Sequence, residues 1–284
     1  TGTVSGTATV TVKPLPSATI TGNTSFCTGG NTVLSVTHVA GNTYLWSNSA
    51  TTNSITVTTP GTYSVVVTNN GCSKTSSNVV VTENPVPTAT ISGTTSICNG
   101  SSATLTVALT GGAPYSITYT DGTTPVTVSG INTNSHTITV NPTSTTVYTV
   151  TSVSTTCTGT TSGFAIVTVN PIPNTPTLGS NTFTYDGTAK TATATAEAGE
   201  SVVWYAAATG PTLATAPTGT NFGTYTAYAS AKNNTTLCES ARILVTLTIN
   251  KANVAFTLSN NTKTYTGVAQ SATITSTPTL VAGT

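Results

Sequence analysis

The chain has 284 residues, of which 36% are hydrophobic and 5% charged, and its formal net charge is +1. The 7 Lys and Arg residues cannot form the basic face that neutralises nucleic-acid phosphates, so nucleic-acid binding is excluded. No apolar run approaches the ~20 residues of a membrane-spanning helix, and we expect no membrane insertion. Apolar residues alternate with Thr and Ser along short segments, which predicts an all-β protein.

The first twelve residues, TGTVSGTATVTV, align with TGTTSGFAIVTV at residues 158–169. The later segment follows Cys157 directly and is expected to close a domain. We therefore predict that residues 1–12 form the last strand of a preceding domain. The chain also has no Met, and we expect it to be part of a longer protein.

Internal repeats define the domains. KPLPSATITGNTSFCTGG at residues 13–30 matches NPVPTATISGTTSICNGS at residues 84–101, an offset of 85 − 14 = 71, and a third Pro-x-Pro motif at residues 170–173 follows after 171 − 85 = 86. YDGTAKTATA at residues 185–194 recurs as YTGVAQSATI at residues 265–274 and begins a second module type. The predicted boundaries are 1–12, 13–84, 85–170, 171–250 and 251–284.

Short strands separated by turn residues fill the first complete domain. The predicted strands are Thr32–Val36, Thr43–Trp46, Ser54–Thr58, Thr62–Thr68 and Ser77–Thr82, with turns at Pro60-Gly61 and Asn70-Gly71. Turns spaced about 8–12 residues apart in such a unit predict a β-sandwich. The expected fold is all-β, with tandem immunoglobulin-like β-sandwich domains in an extended array that adds roughly 30–40 Å per domain.

Aromatic residues at repeated positions predict the structural core. Tyr63, Tyr148 and Tyr225 each stand in a Thr- or Val-rich strand shortly before a Cys, which is typical of the tyrosine corner of immunoglobulin-like domains. Trp46 and Trp204 lie in the middle of their domains, where a core Trp packs. All five are interpreted as core residues.

The repeat alignment also predicts disulfide pairing. Cys27 and Cys98 occupy equivalent early positions, and Cys72 and Cys157 each follow the Tyr-bearing strand. We therefore predict the pairs Cys27–Cys72 and Cys98–Cys157 within single domains. Cys238 has no expected partner, because the corresponding early position, placed near Gly179 to Asn181, holds no Cys; it is predicted to be a free thiol unless it pairs outside this segment.

No constellation of residues predicts catalysis, a cofactor or a metal. Among the scattered acids only Glu197 and Glu200 form a close pair, in a polar loop, and paired-carboxylate hydrolysis is not supported. His38 and His136 lie in different modules without ligand spacing. Asp121-Gly122 and Asp186-Gly187 are typical of turns, and the repeat replaces Asp186 by Thr266. We expect a protein without enzymatic activity, cofactor or metal.

The blocks PTATISGTTSICNG, YLWSN and GTYSVVVTNNGC resemble the immunoglobulin-like or PKD-like repeats of giant Bacteroidota surface proteins, and YDGTAKTATA resembles their MBG-type repeats. The resemblance covers nearly the whole chain. It implies an extracellular, cell-surface location and export by type IX secretion, as for gliding-motility adhesins. It also implies that secretion and anchoring machinery acts on regions outside this segment.

Three functions remain open from the sequence. The first is a stalk or spacer that projects a distal part of the protein from the cell. The second is direct adhesion, in which loops bind surface glycans or proteins with weak contacts summed over repeats. The third is an accessory segment of a secreted multidomain enzyme. The loops contain few of the aromatic and Arg residues that dominate binding surfaces, which favours the spacer.

Overall fold

The computed structural model describes residue 2, residues 6–253 and residues 255–277, except for the side chain of Thr277. The described residues form β-strands and connecting turns, with no helix among them. They group by Cα proximity into two compact units. One comprises residues up to Ile97 and Ser101–Thr168, and the other comprises Cys98–Gly100 and the residues from Val169 onward.

The first module forms three three-stranded ladders, in the orders β1-β3-β5, β2-β9-β6 and β4-β7-β8, and the last two follow one another along the same face. β6 and β7 are successive parts of the penultimate strand, and β8 and β9 are successive parts of the closing strand. Its strands are β1 (Ile20–Gly22), β2 (Ser25–Cys27), β3 (Thr32–Val36), β4 (Thr43–Trp46), β5 (Ser54–Val57), β6 (Gly61–Tyr63), β7 (Val65–Asn69), β8 (Cys72–Thr75) and β9 (Val79–Asn84).

The second module repeats this arrangement with longer strands, in the orders β15-β12-β10-β17 and β11-β18-β16-β13-β14. Its strands are β10 (Thr88–Ser92), β11 (Thr95–Cys98), β12 (Ala103–Thr110), β13 (Tyr115–Thr120), β14 (Pro125–Ile131), β15 (Ser135–Val140), β16 (Thr146–Ser154), β17 (Thr160–Ser162) and β18 (Ala165–Asn170).

The third module has one sheet in the order β20-β26-β25-β23 and two short ladders, β19-β22 and β21-β24. β27 and β28 form a separate antiparallel pair. These strands are β19 (Thr177–Leu178), β20 (Thr182–Thr184), β21 (Lys190–Thr191), β22 (Ala194–Thr195), β23 (Glu200–Tyr205), β24 (Thr218–Gly219), β25 (Gly223–Asn233), β26 (Ile243–Asn250), β27 (Ala255–Ser259) and β28 (Thr273–Thr277).

All three modules share one sheet order. A short strand, here called the opening strand (β2, β11 or β20), lies beside the closing strand (β9, β18 or β26), which pairs with the penultimate strand. The penultimate strand pairs in turn with a central strand, β4, β13 or β23. This division into two sheets is that of immunoglobulin-like sandwiches, and the predicted all-β, immunoglobulin-like fold is confirmed.

Alternation of apolar and polar residues places the cores between the sheets. In β12, ATLTVALT, the side chains of Ala103, Leu105, Val107 and Leu109 are buried and the intervening residues are exposed or partly exposed. This period of two is what a sheet with one solvated face requires. Each of the three modules has its own cluster of buried apolar residues, so each contains an independent core.

The predicted aromatic residues lie in or beside these cores. Trp46 is buried and its Nε1 donates to the Thr52 carbonyl at 2.8 Å. Tyr148 is also buried, whereas Tyr63, Trp204 and Tyr225 are partly buried against their clusters. The hydroxyls of Tyr63 and Tyr225 donate to the carbonyls of Thr59 at 2.8 Å and Asn221 at 3.2 Å, four residues upstream. These two contacts are tyrosine corners.

The segment before Lys13 stays a predicted closing strand, because the described residues do not test its assignment to a preceding domain. Its described residues, Gly2 and 6–12, belong to no strand, and Val10 and Val12 are 84% and 87% exposed. A strand needs a neighbouring backbone to pair with, and within the described chain this segment has none. The remaining parts of the predicted terminal segments, residues 1, 3–5, 254 and 278–284, lie outside the described residues.

Candidate functional site: the inter-module disulfides

Two disulfides connect cysteines of successive repeats. Cys27 is bonded to Cys157 across 130 residues, with the Cα atoms 5.9 Å apart. Cys98 is bonded to Cys238 across 140 residues, with the Cα atoms 5.5 Å apart. Cys72 is the free cysteine. Each bond therefore joins the cysteine of an opening strand to a cysteine beyond the penultimate strand of the following module.

The pairing predicted from the sequence is therefore wrong. Cys27 does not bond Cys72, Cys98 does not bond Cys157, and Cys238 is not a free thiol. The reason is the direction of the closing strand. Cys27 pairs in parallel with Asn84, where the closing strand ends, whereas Cys72 stands where that strand begins. The 84 − 72 = 12 intervening residues of a strand span roughly 40 Å, and a disulfide requires Cα atoms within about 7 Å.

The second module shows the same separation. The amide of Asn99, directly after Cys98, donates to the carbonyl of Asn170 at 2.9 Å, so Cys98 lies where the closing strand ends. Cys157 lies before that strand, β18, begins at Ala165. In both modules the two cysteines stand at opposite ends of the sandwich. The length of the closing strand therefore keeps the two cysteines of one module too far apart for a disulfide. It does not separate an opening-strand cysteine from the next module.

The junction between the first two modules is organised around the Asn84 carbonyl. This oxygen accepts the Thr28 amide at 2.9 Å and lies 3.8 Å from Sγ of Cys157. The amide of Thr160 donates to the Pro87 carbonyl at 3.1 Å. The linker that leaves the first module is therefore fixed on the same loop of the second module that carries the disulfide.

Two glycines of the second module allow the linker to lie this close. A Cβ atom on Gly159 would overlap the Pro87 carbonyl oxygen, and one on Gly111 would lie 2.6 Å from the Pro87 Cα. Gly111 also has a φ of +97°, which favours glycine. The close packing of backbone on backbone restricts this junction in addition to the covalent bond.

The third module differs at its opening strand. Thr184 pairs with Asn250, as Cys27 pairs with Asn84, and the amide of Tyr185 donates to the Asn250 carbonyl at 2.9 Å. The position equivalent to Cys27 is thus Thr184, and the sequence-based placement near Gly179 to Asn181 is wrong. The sequence alignment missed it because the third module belongs to a different repeat type.

Two aspartate side chains stabilise the turns in which they lie by accepting hydrogen bonds. Oδ1 of Asp121 accepts the amides of Thr123 and Thr124, both at 2.9 Å, and these hydrogen bonds lower the pKa of Asp121 from its usual 3.8 to about 2. Asp186 accepts Nζ of Lys190 at 2.7 Å, and this contact, with hydrogen bonds from Thr188, lowers the pKa of Asp186 well below its usual range. Both carboxylates are occupied by their own turns.

An open depression lies on the second module beside the turn at Asp121. It has a volume of about 770 Å³ and is lined by Tyr119, Tyr148 and Asp121 with surrounding Thr and Val residues. Within the described residues, no group of three or more His, Cys, Asp or Glu side chains is placed to hold a metal ion. The described segments also include no helix that could span a lipid bilayer.

Several solved structures are similar to the chain, whereas no protein-family model and no curated protein matches it. Titin domains I67–I69, in an E-to-A variant, are 11% identical, with 84% of this chain and 100% of that chain covered and a TM-score of 0.44. Sidekick-1 immunoglobulin domains 1–5 are 14% identical over 81% of this chain and 57% of theirs, with a TM-score of 0.39. A structure from a 1.5-MDa bacterial ice-binding adhesin is 12% identical over 83% of this chain and 98% of its own, with a TM-score of 0.36.

Proposed function

We propose that this chain is a non-catalytic, load-bearing spacer segment of a secreted cell-surface protein. The observation that supports this proposal is the overlap of its two disulfides. Cys98 lies in sequence between Cys27 and Cys157, so each covalent loop contains one end of the other. Tension along the polypeptide then passes through disulfides as well as through the folded modules.

Overlapping disulfides limit how far the chain extends when its modules unfold. The shortest covalent path from Thr1 to Thr284 crosses at Cys27–Cys157, returns to Cys98 and crosses to Cys238, which uses 27 − 1 = 26, 157 − 98 = 59 and 284 − 238 = 46 residues. These roughly 131 residues extend to about 450 Å at ~3.4 Å per residue, and the full chain extends to about 960 Å. The two disulfides therefore limit the end-to-end length that the spacer can reach when it is pulled.

Single-molecule force spectroscopy tests the proposal. The oxidised chain should reach its extension limit near 450 Å, and a variant with Ser at Cys27, Cys98, Cys157 and Cys238 should extend to about 960 Å. Bonds within single modules would instead give a path of roughly 179 residues and a limit near 610 Å. A spacer role fails if the oxidised chain and the Ser variant unfold at the same force and reach the same extension.

We further propose an extracellular, cell-surface location. Disulfides persist in oxidising compartments, and this chain places four of its five cysteines in such bonds. The resemblance to Bacteroidota repeats adds type IX export and a role in gliding or surface attachment to the proposal. Tracking of surface-exposed epitopes in producing cells, with and without the export system, tests the location and the route together.

A second candidate function, direct adhesion, is favoured by the depression in the second module. Tyr119 is partly exposed there beside threonine hydroxyls, a combination that suits stacking and hydrogen bonding to a sugar. A glycan array probed with the chain and with Tyr119→Ala is the test. Binding that depends on Tyr119 would support adhesion, and equal signals from the two proteins would reject this depression as the binding site.

A further inference from the structure

Cys72, the one cysteine without a partner in this chain, occupies a position that is disulfide-bonded in both following modules. It stands directly after the turn between the penultimate and closing strands, here called the closing turn, and pairs with Asn69 across it. In the second module the Thr155 amide donates to the Cys157 carbonyl at 2.9 Å, and in the third the Asn233 amide donates to the Cys238 carbonyl at 2.9 Å. All three cysteines thus close the same connection.

A second, independent contact shows what faces the closing turn of the first module. Lys13 is the repeat equivalent of Asn84, since 84 − 13 = 71 is the offset between the first two modules. Nζ of Lys13 donates to the carbonyl of Asn70, two residues before Cys72, at 3.2 Å. In the second module the equivalent Asn84 carbonyl lies 3.8 Å from Sγ of Cys157. In both modules a group of the residue that precedes the first Pro of the Pro-x-Pro motif therefore reaches the closing turn.

The residues before Lys13 have the pattern of a closing strand. Val10 and Val12 are separated by one residue and are both exposed, as alternating apolar residues are when their sheet partners are not present. In the first two modules the closing strand lies beside an opening strand that ends in a bonded cysteine.

We propose that Cys72 forms a third inter-module disulfide with the opening-strand cysteine of the module to which residues 6–12 belong. The expected separation in sequence is close to the 130 and 140 residues of the two observed bonds. The bond forms from two thiols, which lose two protons and two electrons. A disulfide-carrying oxidant of the thiol–disulfide oxidoreductase class accepts the electrons and becomes a dithiol.

The direction of the series follows from the same positions. Each observed bond runs from an opening strand to the closing turn of the next module, so Cys72 can take a partner only from the N-terminal side. On the C-terminal side the series stops, because Thr184 occupies the opening-strand position of the third module. In this proposal the three modules of residues 13–250 are linked by one disulfide to the preceding module. They are linked by none to the following module.

Peptide mapping of the polypeptide isolated from its producing cells, without reduction, tests the proposal. The peptide that contains Cys72 should be linked to a peptide N-terminal to Thr1 whose cysteine ends an opening strand. A free Cys72 thiol, a Cys72–Cys72 link between two copies, or a link to any other cysteine would overturn it. A free thiol, a link between two copies or a link to a cysteine outside this chain leaves the extension limit set by the other two bonds unchanged, so the spacer proposal is then judged separately. A link to one of the other four cysteines of this chain would replace an observed bond and would count against both proposals.

An engineered chain provides a second test that requires no other segment of the protein. Residues 14–84 are duplicated in tandem, so that a second Cys27 precedes the original Cys72 through an Asn-Pro junction like that at Asn84. The added Cys27 should bond the original Cys72 and leave the added Cys72 as the single thiol. The matched control, Cys27→Ser in the added copy, should show two thiols. A bond between the two cysteines of the added copy, or three free thiols, would contradict the proposal.

Discussion

Cys27 and Asn84 are paired at the common end of the opening and closing strands of the first module, and this pairing decides which cysteine Cys27 can reach. It directs Cys27 toward the following module, where the Cys157 sulfur lies beside the Asn84 carbonyl. The disulfide and the linker thus reinforce each other at one junction.

Thiol counting separates the observed pairing from the one predicted by the repeats. The unfolded, unreduced chain should contain one reactive thiol, and Cys72→Ser should remove it, because the other four cysteines are bonded. Cys238→Ser should instead raise the count to two by releasing Cys98. A thiol that persists in the Cys72→Ser chain would contradict the observed bonds.

Trp46 should stabilise the first module strongly. It is 2% exposed and its Nε1 is hydrogen-bonded to Thr52, so Trp46→Ala removes a fully packed ring and leaves a carbonyl without its donor. We expect a loss of about 3–5 kcal/mol in the free energy of unfolding of this module. Trp204→Ala, at a partly buried position, is the comparison and should cost less. Urea unfolding followed by circular dichroism measures both, and equal losses would show that burial does not set the effect.

The tyrosine corners should each contribute a modest amount. Tyr63→Phe removes the hydroxyl that donates to Thr59 at 2.8 Å, and Tyr225→Phe removes the one that donates to Asn221 at 3.2 Å. Each substitution should lower the free energy of unfolding by about 1 kcal/mol. Tyr265→Phe, at a residue that is 91% exposed, serves as the control and should have no effect on the thermal midpoint.

The junction beside Pro87 should tolerate no side chain at Gly159. Gly159→Ala places a methyl group against the Pro87 carbonyl, so the linker or the loop must shift, at a cost of about 1–3 kcal/mol. Gly61→Ala is the matched control, because the nearest atom to its added Cβ is 3.9 Å away. The fraction of Cys27–Cys157 bond formed during oxidative refolding should fall for Gly159→Ala only. Identical refolding of the two variants would contradict close packing at this junction.

The turn at Asp121 should make a pH-dependent contribution. Its pKa is lowered from 3.8 to about 2, which means that the folded chain stabilises the ionised carboxylate. The contribution is complete above about pH 4, declines as the pH falls, and is lost near pH 2. The thermal midpoint of the chain should therefore exceed that of Asp121→Ala by a constant amount above pH 4 and converge toward it below. A difference that does not change between pH 5 and pH 2 would contradict this assignment.

The all-β class, the alternating cores and many of the turns could be predicted from local sequence signals. Alternation in β12 and the Asn70-Gly71 dipeptide are local signals, since a period of two selects a strand and Asn-Gly adopts the positive φ values, 48° and 81°, that a tight hairpin requires. The strand predicted at Thr62–Thr68 is divided by Ser64 into β6 and β7, an irregularity that alternation alone does not reveal.

The disulfide pairing could not be predicted from the sequence, because it depends on how the strands are arranged in the folded sheets. The repeats place one cysteine in each opening strand of the first two modules and one after each penultimate strand. That arrangement fits bonds within a module, which leave Cys238 unpaired, as well as bonds between successive modules, which leave Cys72 unpaired. The choice depends on the parallel pairing of opening and closing strands, which connects residues 84 − 27 = 57 positions apart and places the two cysteines of a module at opposite ends. Sequence spacing does not encode that distance, because it is set by the direction and length of a strand in the folded sheet.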